Sequence, residues 1–153
     1  MNIAEMVDKR LISFGLDAGS KEEVFKSLAK MMYEAGKVTD EAAYIKGLYE
    51  RELEGCTGMG NGIAMPHCKS DCVKTAAFTL VKLKQPIEWE SYDEQPVDYI
   101  IMLAAPNTSD NIHLKMLSAL AVNLMDDDFR NGLKDATDFG QIIHIFKNKK
   151  EEE

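Results

Sequence analysis

The chain of 153 residues is long enough to bury a hydrophobic core and short enough to form one domain. With 45% hydrophobic and 29% charged residues, it has the composition of a globular protein and not of a disordered one. The formal net charge of −8 argues against nucleic acid as a partner, because that binding depends on lysine and arginine side chains at phosphates.

The first residues and the cysteines indicate a cellular compartment. The opening stretch MNIAEMVDKRLISF has no basic flank leading into a long apolar run, so we expect no secretory signal. The run YIIMLAAP is too short to cross a bilayer. Three cysteines, an odd number, make no disulfide framework, so free thiols in a reducing cytoplasm are expected.

Two helices are predicted in the first third of the chain. Ser20 and Glu23 form a capping box, and Gly36 stands where a C-terminal cap is expected. A second helix is predicted from Asp40 to about Arg51. The side chains expected on the inner faces are Val24, Leu28, Met31, Met32 and Ala35 in the first helix, and Ala43, Gly47 and Leu48 in the second.

Strands and helices alternate in the rest of the chain. The stretches 76–83 and 97–106 predict strands, and the proline-punctuated segment between them predicts turns with a short edge strand. A helix follows the NTSDN stretch, with shorter helices around FRNGLKDA and FGQIIHIF and a charged tail over 148–153. The face of the first of these helices is expected to carry Leu117, Leu120, Ala121 and Leu124. This alternation predicts a single layered α/β domain over 1–147.

The stretch TGMGNGIAMPHCKSDC, residues 57–72, is the most unusual part of the sequence, and 55–72 is predicted as a loop with a short extended piece at 63–64. Its glycines do not match a dinucleotide fingerprint, because Ile63 stands where the third glycine is required and a helix precedes them. No Gly-Lys-Ser or Gly-Lys-Thr follows, which excludes a Walker loop. The glycines instead predict close turns whose free N–H groups could face an anion.

Metal binding and thiol catalysis are two alternatives for this stretch. Cys56, His67, Cys68 and Cys72 could be drawn as four zinc ligands, but their spacing does not form two paired knuckles. Small, partly buried cysteines explain these residues more simply. A Cys–His nucleophile could also be assembled, although no recognised local signature supports it.

His67 is the strongest candidate for covalent chemistry. Pro66 holds the backbone that enters it, so that one ring nitrogen could bond to a nearby carbonyl and present the other as a nucleophile. A phosphoryl group arriving there needs N–H donors and a cation, and Thr57, the amides of the glycine loop and Arg51 are candidates just upstream. A histidine without a function is the alternative, and it suits His144 well.

His113 has two interpretations that the residues alone do not separate. It falls in the first turn of the predicted helix, one helical step before Leu117, and could simply be a polar residue capping a core stripe. It could also be a neutral imidazole that donates a hydrogen bond to an anion, because the positive end of a helix disfavours a second positive charge.

Taken together, RELEGCTGMGNGIAMPH (51–67), PIEW, PVDYIIMLAAP and HLKMLSAL (113–120) resemble the enzyme IIA domains of the fructose/mannitol class in the bacterial sugar phosphotransferase system. The resemblance covers nearly the whole chain. It implies a three-layer α/β fold, with a mixed sheet flanked by helices. It also implies that the phosphocarrier protein HPr phosphorylates His67 through Nε2 and that an enzyme IIB receives the group, with no cofactor and no metal.

By the same resemblance, His113 is a second active-site histidine, Arg51 the basic residue near the phosphate and Thr57 a weaker match. Gly58 and Gly60 are the residues of the glycine loop expected to offer amides to the phosphate. Cys68 departs from the glycine that often follows the histidine, and galactitol-type members sometimes carry cysteine there. Retention of His113 favours the fructose/mannitol pattern and a fructose-like sugar. The domain would reach a membrane permease only through the enzyme IIB. A nitrogen-type regulatory enzyme IIA, a phosphorylation-switched regulator and a zinc module remain alternatives.

Overall fold

Two mixed β-sheets lie between two layers of helices in the computed structural model of the protein, which describes residues 2–148. The helices are α1 (Lys21–Glu34), α2 (Glu41–Glu52), α3 (Ile112–Leu124), α4 (Asp127–Asp135) and α5 (Phe139–Lys147), with short 3-10 helices at Ile3–Met6 and Lys9–Leu11. The strands are β1 (Ile12–Leu16), β2 (Gly58–Gly60), β3 (Ile63–Ala64), β4 (His67–Ser70), β5 (Ala77–Phe78), β6 (Leu80–Ile87), β7 (Val97–Ile100) and β8 (Leu103–Pro106).

The larger sheet has the order β1-β6-β7-β3-β2, and the smaller has the order β4-β8-β5. Parallel pairs (β1 with β6, β3 with β7, β4 with β8) alternate with antiparallel ones in both sheets. The expected α/β class with a mixed sheet flanked by helices is confirmed, and the sheet is divided in two. None of the helices within residues 2–148 has the length and apolar character needed to span a membrane.

The two faces of the sheets build separate core layers. Along β6 and β7 the buried side chains alternate: Val81 and Ile100 pack towards α1 and α2, while Leu80 and Tyr99 pack towards α3, α4 and α5. This period of two follows from the pleat of a strand, which points successive side chains to opposite faces. The protein therefore has three layers, helix, sheet and helix, as predicted.

The predicted helices all form, but two of them bury a rotated face. α1 begins at the predicted cap, where Ser20 Oγ accepts the Glu23 N–H at 3.2 Å, and Gly36 takes a positive φ of 74° after its end. In α2 the fully buried residues are Tyr44 and Leu48, while Ala43 and Gly47 line a cleft. In α3 the core receives Met116, Ala119, Leu120 and Leu124, whereas Leu117 and Ala121 are half-buried.

Each of the two predicted strands is in fact a pair of strands that passes from one sheet into the other. The stretch 76–83 divides at Thr79 into β5 and β6, and 97–106 divides at residues 101–102 into β7 and β8. Within 55–72 the extended piece predicted at 63–64 is confirmed as β3, and the predicted loop also contains β2 and β4. Sequence patterning detects an apolar run but not the point at which its hydrogen-bonding partner changes.

The hydroxyl of Thr79 bridges the gap where both strands change sheet. It accepts the Met102 N–H at 2.9 Å and lies 3.3 Å from the Ile100 carbonyl oxygen, to which it donates. The Thr79 N–H donates to the Met102 carbonyl oxygen at 2.9 Å, and Thr79 is fully buried. These bonds satisfy backbone groups that an interrupted ladder would otherwise leave unpaired in the core.

Thr79→Val should therefore destabilise the protein by about 1–3 kcal/mol, because valine keeps the shape but leaves the buried Met102 N–H without an acceptor. Equilibrium unfolding in denaturant measures this loss. The control is Thr75→Val at an exposed position, which should change the free energy of unfolding by less than about 0.5 kcal/mol. Equal, small changes in both variants would contradict the role of the Thr79 hydroxyl.

Candidate functional site

His67 lies at the start of β4, with both ring nitrogens hydrogen-bonded. Its Nδ1 is 2.9 Å from the carbonyl oxygen of Met65, and its Nε2 is 3.0 Å from Nε of Arg51. A carbonyl oxygen only accepts and a guanidinium N–H only donates, so the proton of the neutral ring is on Nδ1. The Nε2 lone pair therefore points at Arg51, and Nε2 is the nucleophilic atom of the ring.

The smaller sheet determines where this ring sits. His67 pairs with Leu103 in the parallel register of β4 and β8, and the Leu103 N–H donates to the Pro66 carbonyl oxygen at 2.9 Å. Pro66 has no N–H to satisfy and a restricted φ, so it enters the strand without leaving an unpaired donor. The tight step from Met65 to His67 is what brings the carbonyl oxygen within reach of Nδ1.

Arg51 reaches the histidine from the last turn of α2. Besides the contact with His67, its Nη1 donates to the Gly55 carbonyl oxygen at 3.1 Å. The guanidinium is thus held between the ring and the turn that follows the helix. It places a permanent positive charge beside the nucleophilic nitrogen, where a phosphoryl group would bring negative charge.

His113 is the second residue of α3, and its ring faces that of His67. The ring centroids are 5.0 Å apart with an interplanar angle of 42°. Its Nδ1 is buried and has no hydrogen-bond partner among residues 2–148. The helix begins at Asn111, whose φ is +60° and whose side chain makes no capping bond, while Asp110 Oδ1 accepts the Ile112 N–H at 3.3 Å.

Burial and charge keep both rings neutral near pH 7. Desolvation lowers the pKa of His67, and Arg51 lowers it further, against the Met65 hydrogen bond, which raises it. The pKa of His113 is lowered to about 4, first by desolvation and then by His67, Lys69 and Arg51. Two neutral imidazoles beside a guanidinium offer one nucleophilic nitrogen and N–H donors, and neither imidazole adds a positive charge.

These groups open onto a cleft of about 460 Å³ between α2, β4 and the start of α3. Its lining consists of Ala43, Gly47, Glu50, Arg51, Glu54, His67, Cys68, Lys69, Ser70 and His113. Arg51 and Lys69 supply positive charge at the cleft and Glu50 and Glu54 supply negative charge. A cleft of this volume is large enough for a phosphoryl group.

Three of the sequence-predicted phosphate-binding residues lie elsewhere. Thr57 is 2% exposed, and its hydroxyl donates to Glu52 Oε2 at 2.8 Å and accepts from Trp89 Nε1 at 3.0 Å. Gly58 and Gly60 lie on β2, and their N–H groups donate to the Glu90 carbonyl oxygen and to Ser91 Oγ. The structure thus brings Arg51, His67 and His113 together, but not Thr57, Gly58 or Gly60.

Gly58 is required for a structural contact. A Cβ at this position would come within 2.5 Å of the Glu90 carbonyl oxygen and 2.6 Å of Ser91 Cα. The glycine thus allows β2 to lie directly against the segment that follows β6. In Gly60 and Gly62 the positive φ values of 89° and 76° shape the turn between β2 and β3.

Cys68 lines the cleft beside His67, but the three cysteines and His67 form no common cluster within residues 2–148. Cys56 and Cys72 are half-buried, Cys68 is buried, and all three are free thiols. Burial raises the pKa of Cys68 to about 11, so its thiol is protonated near neutral pH and is a weak nucleophile. Within residues 2–148 no group of three or more His, Cys, Asp or Glu side chains is placed to hold a metal ion.

Cys68 fills the space that Gly47 leaves open on α2. A Cβ built on Gly47 would lie 2.2 Å from the Cys68 sulfur, so helix and strand approach only because residue 47 has no side chain. Nearby, the fully buried Tyr44 donates its hydroxyl to the Leu103 carbonyl oxygen at 2.8 Å. These contacts hold α2, and with it Arg51, against β4 and β8.

Three residues important to the site were missed by the sequence reasoning. Tyr44 was missed because a tyrosine on a predicted helix gives no sign of a buried backbone contact. Lys69 was overlooked although it follows His67 by two positions. Glu52 was also missed, although an acidic residue directly after Arg51 at a helix end was a signal that could have been followed.

Solved structures place this fold in a known class. The chain aligns with the nitrogen regulatory protein IIA-Ntr of Neisseria meningitidis with a TM-score of 0.86, at 27% identity, covering 94% of this chain and 98% of that one. Residues 5–149 match the family described as phosphoenolpyruvate-dependent sugar phosphotransferase system, EIIA 2. The chain belongs to this family, and membership supports a role as a phosphoryl carrier.

Curated relatives include both transport and regulatory proteins. The chain is 34% identical over 145 residues to the PTS system fructose-specific EIIABC component of Bacillus subtilis (strain 168), which covers 95% of this chain. It spans only 23% of that relative's length. It is also 34% identical over 147 residues to the nitrogen regulatory protein of Bradyrhizobium diazoefficiens, covering 95% of this chain and 94% of that protein.

Gly47→Ala should destabilise the protein by about 1–3 kcal/mol, because the added methyl group overlaps the Cys68 sulfur. Combining it with Cys68→Ala should restore most of that loss, since the alanine methyl then occupies the space of the sulfur. A double-mutant cycle from equilibrium unfolding measures the coupling. Purely additive losses would show that the two residues do not share this space.

The lowered pKa of His113 also predicts how stability depends on pH. Between about pH 6.5 and pH 4 the unfolded chain binds a proton at this ring that the folded protein does not. Stability should therefore fall as the pH decreases through this window, and His113→Asn should show a shallower decline. The free energy of unfolding, measured at intervals from pH 7.5 to pH 5, tests this. Parallel curves for the two proteins would contradict it.

Proposed function

We propose that the protein is a phosphoryl carrier of a sugar phosphotransferase system, which accepts the group from phospho-HPr on His67 and passes it to an enzyme IIB. The observation that carries the proposal is the pair of hydrogen bonds on the ring, Nδ1 to Met65 and Nε2 to Arg51. They define a single nucleophilic nitrogen and set a fixed cation beside it. Membership of the family supports the same role.

In the accepting step, the lone pair of His67 Nε2 attacks the phosphorus atom of the donor. The new N–P bond forms as the bond from phosphorus to the donor breaks, and its electron pair leaves with the donor. The proton on Nδ1 stays on the ring, where the Met65 carbonyl oxygen accepts its hydrogen bond. A ring that retains this proton is a good leaving group, which suits the next transfer to an enzyme IIB.

Arg51 has two tasks in this sequence. In the free protein its Nε donates to the same lone pair that must attack. Incoming phosphoryl oxygens are stronger acceptors, because they carry charge, so the guanidinium exchanges the ring nitrogen for them. The lone pair is freed as the negative charge is neutralised. His113, neutral and facing the His67 ring, is the second donor towards the phosphoryl oxygens.

A fructose-like sugar is the proposed end of this transport route, with the permease reached through the enzyme IIB. The 34% identity to the fructose-specific EIIABC component of Bacillus subtilis supports it. Loss of growth and uptake on fructose after deletion of the gene, restored by the wild-type chain but not by His67→Ala, is the expected result. Unchanged uptake would exclude this sugar.

A regulatory role is the second candidate, in which phosphorylation of His67 switches binding to another protein. Its support is the nitrogen regulatory protein of Bradyrhizobium diazoefficiens, which has the same identity to this chain and nearly its length. The two roles differ in the fate of the phosphoryl group. Transfer to a purified fructose-type enzyme IIB within seconds favours transport, whereas a phosphorylated protein that keeps its group in that mixture favours regulation.

The two histidines should behave differently when phosphoenolpyruvate, enzyme I and HPr are supplied. Wild type should gain one phosphoryl mass that is labile in acid and stable in alkali, as a phosphoramidate is. His67→Ala should gain none, and His113→Ala should gain it about a hundredfold more slowly, the loss expected for one donor to a transition-state charge. Intact-mass spectrometry at timed intervals gives both results.

A label that persists in His67→Ala and vanishes in His113→Ala would reverse the two assignments. A label that survives acid would indicate a serine or threonine ester and contradict the phosphohistidine. His144→Ala is the control, because this exposed histidine lies on α5 and outside the cleft, and it should be labelled like wild type.

A further inference from the structure

The residue that follows Arg51 is held by two hydrogen bonds of its own. Glu52 ends α2, its side chain is 10% exposed, and both carboxylate oxygens are hydrogen-bonded. Oε1 accepts from Lys21 Nζ at 2.7 Å, and Oε2 accepts from Thr57 Oγ1 at 2.8 Å. A carboxylate held by two donors at this depth has little freedom to move.

The anchor extends to a buried tryptophan. Thr57 is 2% exposed, and its hydroxyl oxygen accepts the Trp89 Nε1–H at 3.0 Å. The hydroxyl hydrogen of Thr57 therefore points to Glu52, to which it donates. Lys21 Nζ lies 4.8 Å from the centroid of the Trp89 ring, a cation–π distance. Glu52, Thr57, Trp89 and Lys21 thus form a closed circuit, the Glu52 circuit, that joins the starts of α1 and β2 to the end of α2.

This circuit surrounds the turn on which Arg51 depends. Residues 52 and 57 are its ends, and between them lies Gly55, whose carbonyl oxygen accepts from Arg51 Nη1 at 3.1 Å. The bond from Thr57 to Glu52 closes the turn and so holds that carbonyl oxygen. Because successive residues of a helix point about 100° apart, Glu52 can face the interior while Arg51 faces the cleft.

We propose that Glu52 is a positioning residue: clamped by Thr57 and Lys21, it fixes the end of α2 so that Arg51 stays on His67 Nε2 and then on the phosphoryl group. The inference rests on the proposed function, and it gives the Thr57 hydroxyl a role in positioning Arg51 in place of a direct contact with phosphate. Arg51 has a long side chain with many rotamers. If the end of α2 were not fixed, its guanidinium would spend less time at the His67 ring.

The test compares substitutions that remove hydrogen bonds of the Glu52 circuit with little change of shape. Thr57→Val and Glu52→Gln should each slow phosphoryl acceptance about tenfold, and Thr57→Ser, which keeps the hydroxyl, should retain most of the rate. The matched control is Thr39→Val, which removes a threonine hydroxyl bonded to the Cys72 carbonyl oxygen, away from this circuit. It should be phosphorylated at the wild-type rate. An equal loss in the control would overturn the proposal.

A cycle with Arg51→Ala shows whether the effect passes through Arg51. Thr57→Val should slow the wild-type protein but cause no further loss in the Arg51→Ala background. A further tenfold loss in that background would mean that Thr57 acts independently of Arg51 and would overturn the inference. Unfolding in denaturant, run on each variant, shows whether it is folded under the assay conditions. Rates are compared only among folded variants.

Nitrogen-15 NMR of His67 gives a measurement that does not need phosphotransfer. Loss of the Arg51 hydrogen bond in Arg51→Ala should move the Nε2 resonance, and Thr57→Val should move it part of the way, while Thr39→Val leaves it in place. A Thr57→Val resonance at the wild-type position would overturn the inference. Because this experiment uses the unphosphorylated protein, failure of the proposed function and failure of the positioning role remain distinguishable.

Discussion

The hydroxyl of Thr79 lies at the place where two neighbouring strands leave the larger sheet and enter the smaller one. It bonds to Met102 and Ile100 at the point where the regular ladder between β6 and β7 ends. The smaller sheet that results contains β8 at its centre and β4, which begins with His67, at its edge. The position of the half-buried His67 at the start of an edge strand thus depends on the break between the two sheets.

The site around His67 combines one contact that is fixed locally with one that comes from another element. The bond between His67 Nδ1 and Met65 is local, two residues apart in the chain, and it decides which ring nitrogen is free. The bond between Arg51 and Nε2 comes from another element, and in the proposed transfer it is the bond that has to change. A carrier needs both properties, because it must hold the group in one orientation and still release it to a second protein.

The charge near the two rings differs from that of the protein as a whole. The protein carries a net charge of −8, yet the residues that face the two rings include Arg51 and Lys69. Desolvation lowers the pKa of both imidazoles, helped by Arg51 at His67 and by Lys69 and Arg51 at His113. In the proposed transfer the incoming phosphoryl group meets the guanidinium of Arg51 next to His67 Nε2, while Glu50 and Glu54 line the same cleft.

Much of this protein could be predicted from the sequence alone, because the relevant signals are local. The cap at Ser20, the helical spacing in α1 and the apolar runs that became strands each depend on neighbours within a few positions. The Pro66–His67 pair also indicated a restrained nucleophile, which stays a prediction, and the family resemblance that included the pair was confirmed. Arg51 and His113 were named in advance, and the structure brings both to His67.

Tertiary structure decided what depends on residues far apart in the chain. The division of two apolar runs at Thr79 and Met102 reflects a change of strand partner, which no local pattern encodes. The Thr57 hydroxyl was expected at the phosphate but bonds to Glu52 and Trp89, because a hydroxyl bonds to whatever the fold brings near. The need for glycine at position 47 is explained only by the Cys68 sulfur, which lies against it where α2 packs on β4. Hydrogen-bond partners and close packing are set by three-dimensional proximity, and that proximity exists only once the chain has folded.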